Sequence, residues 1–498
     1  MTENACPLYV GIDLGTSAVK LLLVAEDGAI VRTESRSYPV RYPRPGWSEQ
    51  DPADWWTAVS DGLRALVPSA PGPVRGVACA GQMHGLVILD ENDAVIRPAI
   101  LWNDGRTAEE TAWLNETAGW ETLLSRTGNI AYAGFTAPKL LWLRKNEPEN
   151  FKKIKKIMLP KDYITYRLTG SFVTDSSDAA GTLLLDVKHK RWSPEMTALC
   201  GVSEAQLPRL CESYDKAGVL TAEAAKALGL PAGIPVAAGA GDNAGAAVGA
   251  GIVKNGGCNI SLGTSGTVFI AADSFPAKLN PAIHAFNHAT GRFHLMGCML
   301  SAASCNQWFC KDVLGAADFA AEQAAIPAGL PGNNDVYFLP YLMGERSPLN
   351  DTAARGCFIG LRPDTDRRHM LLAVLEGVAF AFRDNLEAVR ACGVAVSRSS
   401  VVGGGAKSRL WLQILADVLN IPLDRPQTEE GPGYGAAMLA MVAAGAYDSV
   451  EAAAEALTRV KETIVPDPAR AALYAARYEN FRLLYPALKD TFRKLQGN

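Results

Sequence analysis

Two aspartates stand where an apolar run meets a turn, and each could serve phosphate chemistry. Asp13 is the only charged residue in the run Tyr9–Leu14, inside Gly11-Ile12-Asp13-Leu14-Gly15-Thr16-Ser17. A tight glycine-containing turn between strands points backbone N–H groups outward, together with the hydroxyls of Thr16 and Ser17, and this suits phosphate oxygens. Asp242 follows Gly241 at the end of the apolar run 234–240 and precedes an Ala/Gly-rich helical stretch. A helix N-terminus favours the ionised carboxylate. Such a carboxylate can accept the proton of a hydroxyl attacking a γ-phosphorus. Taken singly, a hairpin turn and a helix cap explain the same residues.

A repeat favours the chemical reading. Residues 257–272 again run apolar strand, Leu-Gly-Thr-Ser, apolar strand, with Leu14 and Leu262 248 positions apart in a chain of 498. Recurrence at half the length predicts two similar domains with related phosphate turns. Gly263, Thr264 and Ser265 form the second turn, and Ser261 takes the place of Asp13. One carboxylate for two turns is what a single bound metal would need. A third glycine run, Gly403-Gly404-Gly405-Ala406, lies between a strand and a helix, where backbone can approach a flat ligand or a phosphate. A plain tight connection explains it equally well. The chain has no Gly-x-x-x-x-Gly-Lys-Ser/Thr loop, and this glycine run lacks the dinucleotide spacing. Met83, His84 and Trp102 fall near the ends of apolar strands. A hydrogen-bonding imidazole and an aromatic wall suit a small polyol, although such residues more often belong to a core.

The elements that must position these groups alternate between strand and helix. Residues 74–89 read as strand, turn at 81–85, strand. Asp51-Pro52 opens a helix as cap and first residue. Residues 234–240 and 398–402 read as strands, a helix begins near Ser408, and Pro432 opens another through Ala436–Ala444. The basic run Lys152–Lys156, between Phe151 and Ile157, predicts the solvated face of an amphipathic helix. The pattern is α/β, with mixed sheets covered by helices. It divides at 1–252 and 253–498, and the halves share an extensive cleft.

A net charge of −4 argues against a general nucleic-acid surface. The ten cysteines include no Cys-x-x-Cys pair and no zinc spacing, which predicts free thiols in a reducing compartment. No signal peptide and no membrane span are expected, and a cytoplasmic enzyme fits.

Taken together these residues resemble the FGGY family of carbohydrate kinases over nearly the whole chain. Gly11–Ser17 is similar to the family's first phosphate motif, Phe135–Asn146 to its N-terminal signature and Gly356–Glu376 to its C-terminal one. A narrower set resembles the branch acting on D-xylulose: Trp47–Asp51, Gly81–Gly85, Leu101–Arg106, Pro160–Tyr163 and Gly241–Asn243. Met83-His84 stand where glycerol kinases are expected to carry Arg-Glu, which argues against glycerol. The resemblance implies an actin-like ATPase fold, with two ribonuclease-H-like domains flanking a deep cleft that closes on ATP and sugar. It implies that Asp242 is the general base and that Met83, His84, Trp102 and Asn243 line the sugar site. It further implies that Asp13 acts through Mg²⁺, that Thr16, Ser17, Gly263, Thr264 and Ser265 hold phosphates, and that Gly404, Gly405 and Ala406 approach the adenosine. A homodimer is implied as well. The alternatives are another pentulose or polyol, such as ribulose or xylitol, and a non-catalytic ATPase clamp of the actin or chaperone kind.

Overall fold

The computed structural model describes residues 6–495. Its first half is built on the hairpin of Leu8–Leu14 (β1) and Ala18–Ala25 (β2), which places Asp13 opposite Lys20. Ile30–Ser37 (β3) extends β2 antiparallel, and Val74–Gly81 (β4) lies parallel to β1 on its other side. Lys216–Val219 (β5), Pro235–Ala237 (β6) and Ala240–Gly241 (β7) complete the sheet in the order β3-β2-β1-β4-β6-β5, with β7 paired to β4. The predicted strand 234–240 is therefore two short pieces. They are broken at Gly239, whose φ is 84°.

The second half repeats the plan. Cys258–Leu262 (β8) and Gly266–Ala272 (β9) form the second hairpin, with Ser261 opposite Thr267. His284–Asn287 (β10) and Phe293–Met299 (β11) continue from β9, while Ser399–Val402 (β12), Leu423–Pro426 (β13) and Val460–Ile464 (β14) continue from β8. The order is β10-β11-β9-β8-β12-β13-β14. Outward from each hairpin the pairings match: antiparallel on one side, then parallel, parallel and antiparallel on the other. Apart from β10 and β7, this is one ribonuclease-H-like sheet made twice, as the sequence repeat predicts.

Helices cover the sheets where sequence signals place them. Pro52–Leu66 (α1) starts at Asp51, whose carboxylate accepts from Ala53 N. Thr136–Asn146 (α2) and Pro160–Thr169 (α3) pack in the first half, Asp242–Gly249 (α4) leads out of it, and Arg367–Arg390 (α5) and Arg409–Leu419 (α6) cover the second. Ser408 caps α6 through Trp411 N. The basic run departs from expectation. A helix at Pro148–Lys153 stops, Ile154 turns extended, and Lys156–Met158 is a strand paired with Val87–Leu89. Burial of Ile157 and Met158 against that partner outweighs the helical spacing.

The helix opened by Pro432, Gly431–Ala443 (α7), lies late in the chain yet packs on the first sheet and along α4. Its Tyr434, Ala437, Met438 and Met441 are buried with Tyr9, Leu22, Ala80 and Val248. Glycine makes the approach possible: a Cβ on Gly435 would lie 1.9 Å from Gly245 O, and one on Gly11 1.9 Å from Gly433 O. Among the described residues no helix is long and apolar enough to cross a membrane, and all ten cysteines are free thiols.

Candidate active site

The parallel strands β1, β4 and β7 end side by side, and from their carboxyl ends run the Gly15–Ser17 turn, the segment Gln82–His84 and Asp242. That edge is the usual ligand side of an α/β sheet. Register pairs Asp13 with Ala80 and Ala80 with Ala240, so the two aspartates stand about two strand spacings apart, roughly 10 Å.

Asp242 is the first residue of α4 and is not its cap, which is Gly241. Its Oδ1 accepts from Asn243 N at 2.7 Å and from Asn243 Nδ2 at 2.9 Å, which leaves Oδ2 to face a ligand. Burial raises its pKa to about 6 against the pull of those two donors. Below it, Ser177 Oγ accepts from Gly241 N at 3.2 Å and donates to Asp175. Asp175 and Asp162 both pair with the buried Lys161. Asp178 beside them is fully buried with both oxygens unpartnered, and its pKa is held well above the ordinary carboxylate value. Burial and the charge of Asp242 push Asp13 up to about 7. Among the described residues the Asp13 carboxylate has no hydrogen-bond or ion-pair partner, and no cluster of three His, Cys, Asp or Glu could hold a metal unaided. An unsatisfied carboxylate whose remaining ligands must come from phosphate and water fits Mg²⁺, which keeps much of its water.

His84 has φ 68°, in the left-handed region, and its ring lies flat on Phe135 with centroids 4.5 Å apart. Its Nδ1 lies 2.7 Å from Gly181 O. A carbonyl only accepts, so Nδ1 carries the proton and Nε2 presents a lone pair. Burial lowers the imidazole pKa to about 3, which keeps it neutral. Met83 is buried against Gly241, where a Cβ would meet its Sδ at 3.0 Å. Trp102 is 43% exposed, and its Nε1 donates to Thr16 Oγ1 at 3.0 Å. The aromatic wall and the first turn are thus in contact. Ser17 beside them is exposed.

In the second half, Thr264 and Ser265 are exposed, and Thr264 O accepts from Ala302 N at 3.0 Å and Ser304 Oγ at 2.8 Å. Gly263 and Thr264 share a cavity of about 580 Å³ with Gly404 and Gly405, lined also by Phe319 and Trp411. The glycines divide their work. A Cβ on Gly405 would meet Leu262 Cγ at 2.4 Å, so Gly405 serves tight packing, whereas Gly404 faces open space. Ala406, expected to approach the adenosine, is buried and does not line this cavity.

Three contributors escape the sequence reading. Gln50 donates to Thr16 O at 2.6 Å and accepts from Gln82 Nε2 at 2.9 Å, tying the first turn to the segment that carries His84. Lys139 is buried in α2 and reaches the His84 carbonyl. Arg346, from the second half, has its guanidinium 5.2 Å from the Tyr132 ring centroid, and its charge bears on His84. Each stands in a segment the resemblance quotes or on an ordinary loop, and no local pattern separates it from a surface residue.

Twin hairpins, a free carboxylate and a nucleotide-sized cavity define a phosphotransferase of the actin-like class. The descriptions "FGGY family of carbohydrate kinases, N-terminal domain" and "C-terminal domain" match residues 8–249 and 258–444. The chain belongs to this family of ATP-dependent sugar kinases. It is 44% identical over 484 residues to the xylulose kinase of Escherichia coli (strain K12), covering 97% of this chain and 99% of that protein. It is 38% identical over 485 residues to the xylulose kinase of Bacillus subtilis (strain 168), covering 97% of each. The crystal structure of xylulose kinase from Rhodospirillum rubrum superimposes with a TM-score of 0.91 at 33% identity, covering 98% of this chain and 100% of that one.

Proposed function

We propose that the chain transfers the γ-phosphoryl group of ATP to the C5 hydroxyl of D-xylulose, giving D-xylulose 5-phosphate and ADP in the cytoplasm. The sugar lies against Met83, His84, Trp102 and Asn243, and the lone pair of His84 Nε2 accepts from one of its hydroxyls. Asp242 Oδ2 accepts the C5 hydroxyl proton as the oxygen bonds to the γ-phosphorus and the bond to the β-phosphate oxygen breaks. Thr16, Ser17, Gly263, Thr264 and Ser265 donate to the phosphates, and Gly404 and Gly405, with the adjoining Ala406, flank the adenosine. Asp13 holds Mg²⁺, which supplies charge neutralisation at the phosphate oxygens. Residues 1–252 carry the sugar side of this site and 253–498 the adenosine side.

The observation that carries the reading is Asp242: half-buried, tied by one oxygen, free by the other, on the strand edge shared with the Thr16 turn and His84. The xylulose kinase relatives over the full chain support the choice of sugar. The test is a coupled ADP assay with Mg-ATP and a panel of ketopentoses and polyols. D-xylulose is expected to give the highest kcat/KM. A ribulose or xylitol preference moves the substrate within the family, and ATP turnover indifferent to every sugar sinks the kinase reading.

A further inference from the structure

Lys139 lies in the first turns of α2 and is completely buried. Among the described residues no carboxylate forms an ion pair with it. Its Nζ donates instead to two carbonyls, His84 O at 2.7 Å and Gly134 O at 2.7 Å. A lysine at this depth is ordinarily paired with an acid, so a partner set of two backbone oxygens calls for an explanation. Burial drives its pKa well below the ordinary amine value. Each of the two carbonyls takes one of its N–H donors.

Both carbonyls belong to the walls of the sugar site. His84 holds a backbone conformation that non-glycine residues seldom adopt, and such conformations persist only where surroundings over-determine them. Its carbonyl is the fixed point: it accepts from Lys139 and, at 3.1 Å, from Thr136 Oγ1. Gly134 lies against the backbone of Trp102, where a Cβ would come 2.3 Å from Trp102 O. One amine therefore spans the imidazole wall and the loop behind the aromatic wall.

We propose that Lys139 is a positioning residue for the sugar, clamping the His84 carbonyl to the Gly134 loop so that the ring presents Nε2 to a substrate hydroxyl. This rests on the reading that His84 lines the sugar site. Loss of the clamp lets the His84 backbone relax toward an ordinary conformation and swings the ring off Phe135 and Gly181 O. The damage belongs to sugar binding, since the second turn and its cavity lie on the other sheet.

The test uses the full chain with four substitutions, Lys139→Met, Lys139→Arg, Thr136→Val and His84→Ala, and the double substitution Lys139→Met/His84→Ala. Lys139→Met is expected to raise KM for D-xylulose about 10- to 100-fold, as a misplacement of roughly 1 Å can do, with KM for ATP changed less than about twofold. Lys139→Arg keeps donors and recovers part of the loss. In the His84→Ala background Lys139→Met adds no further rise. If Lys139→Met does not fold, Thr136→Val reports instead through a smaller rise in the same KM. Unchanged sugar KM in Lys139→Met or Thr136→Val, beside a raised one in His84→Ala, overturns the clamp alone. A sugar KM indifferent to His84→Ala overturns the sugar-wall reading and the clamp with it.

Discussion

Asp242 must be ionised to accept a proton, yet its burial favours the neutral acid. With its pKa raised to about 6, kcat/KM for sugar is expected to fall about tenfold per pH unit below that value and to level off above it. Asp242→Asn removes this limb and lowers kcat by roughly 10²–10⁴-fold. A pH–rate profile of both proteins checks this, and an acid limb that survives in Asp242→Asn assigns it elsewhere. The same shift acts on stability. A carboxyl whose folded pKa lies above its unfolded value contributes stability at pH below about 4, and that contribution is lost as pH rises through about 6. Asp242→Asn is therefore expected to be the more heat-stable protein at pH 7–8, by on the order of 1–3 kcal/mol, with the advantage gone near pH 4. Equal melting temperatures at pH 8 would reject the raised pKa. Asp242 was legible as a candidate because it closes an apolar strand at a helix start, and the family resemblance, not the local pattern, separated it from a helix cap. Lys139 was not, because a lysine four residues into a helix reads as solvent-facing until the fold shows which carbonyls surround it.

At the scale of elements, the two hairpins were the most legible part of the chain, since an apolar strand, a fixed turn and a second apolar strand recur with the same register. The partner of α7 was not legible. Pro432 and the alanine run announce a helix, and nothing local says that it covers the other half's sheet. That placement depends on glycines whose missing side chains leave no hydrophobic pattern to read. In an isolated helix Gly→Ala stabilises by about 1 kcal/mol. At Gly435 the methyl would land 1.9 Å from Gly245 O, and overpacking of that kind costs about 1–3 kcal/mol or more. Gly435→Ala is therefore expected to lower the melting temperature and the folded yield. Gly245→Ala, whose nearest contact would be Ala80 Cβ at 3.0 Å, should be milder. Thermal unfolding of the pair checks the ranking, and a stabilised Gly435→Ala would mean that α4 and α7 do not approach this closely.

At the scale of the whole molecule, the chain passes between the two sheets three times: between α4 and β8, between β13 and α7, and after the helix Val450–Leu457 into β14. The crossings are tied together, with Gln427 N donating to Arg459 O at 2.9 Å and Lys20 paired with Glu430. Beside these crossings the halves share a buried core, in which Met83, Phe135 and Leu183 pack with Phe269, Phe286 and Met296. The proposed chemistry is divided between the sheets: Asp242, His84 and the Thr16 turn ride on the first, the cavity under Gly404 and the Thr264 turn on the second. Phosphoryl transfer needs both groups within bonding reach, so the closed arrangement is the one that both ligands favour. A ligand that shifts the molecule toward closure lightens the conformational cost for the other, and linkage makes the effect equal in both directions. A non-hydrolysable ATP analogue is therefore expected to bind about 5- to 150-fold more tightly in the presence of saturating sugar, the span of ordinary coupling energies. The sugar should gain the same factor from the nucleotide. Calorimetric titrations in both orders measure it, with small-angle scattering recording the smallest radius of gyration when both are bound. Equal affinities in all four titrations, with no contraction, would show that the two sheets already stand at their working distance and that the three crossings act as a fixed brace.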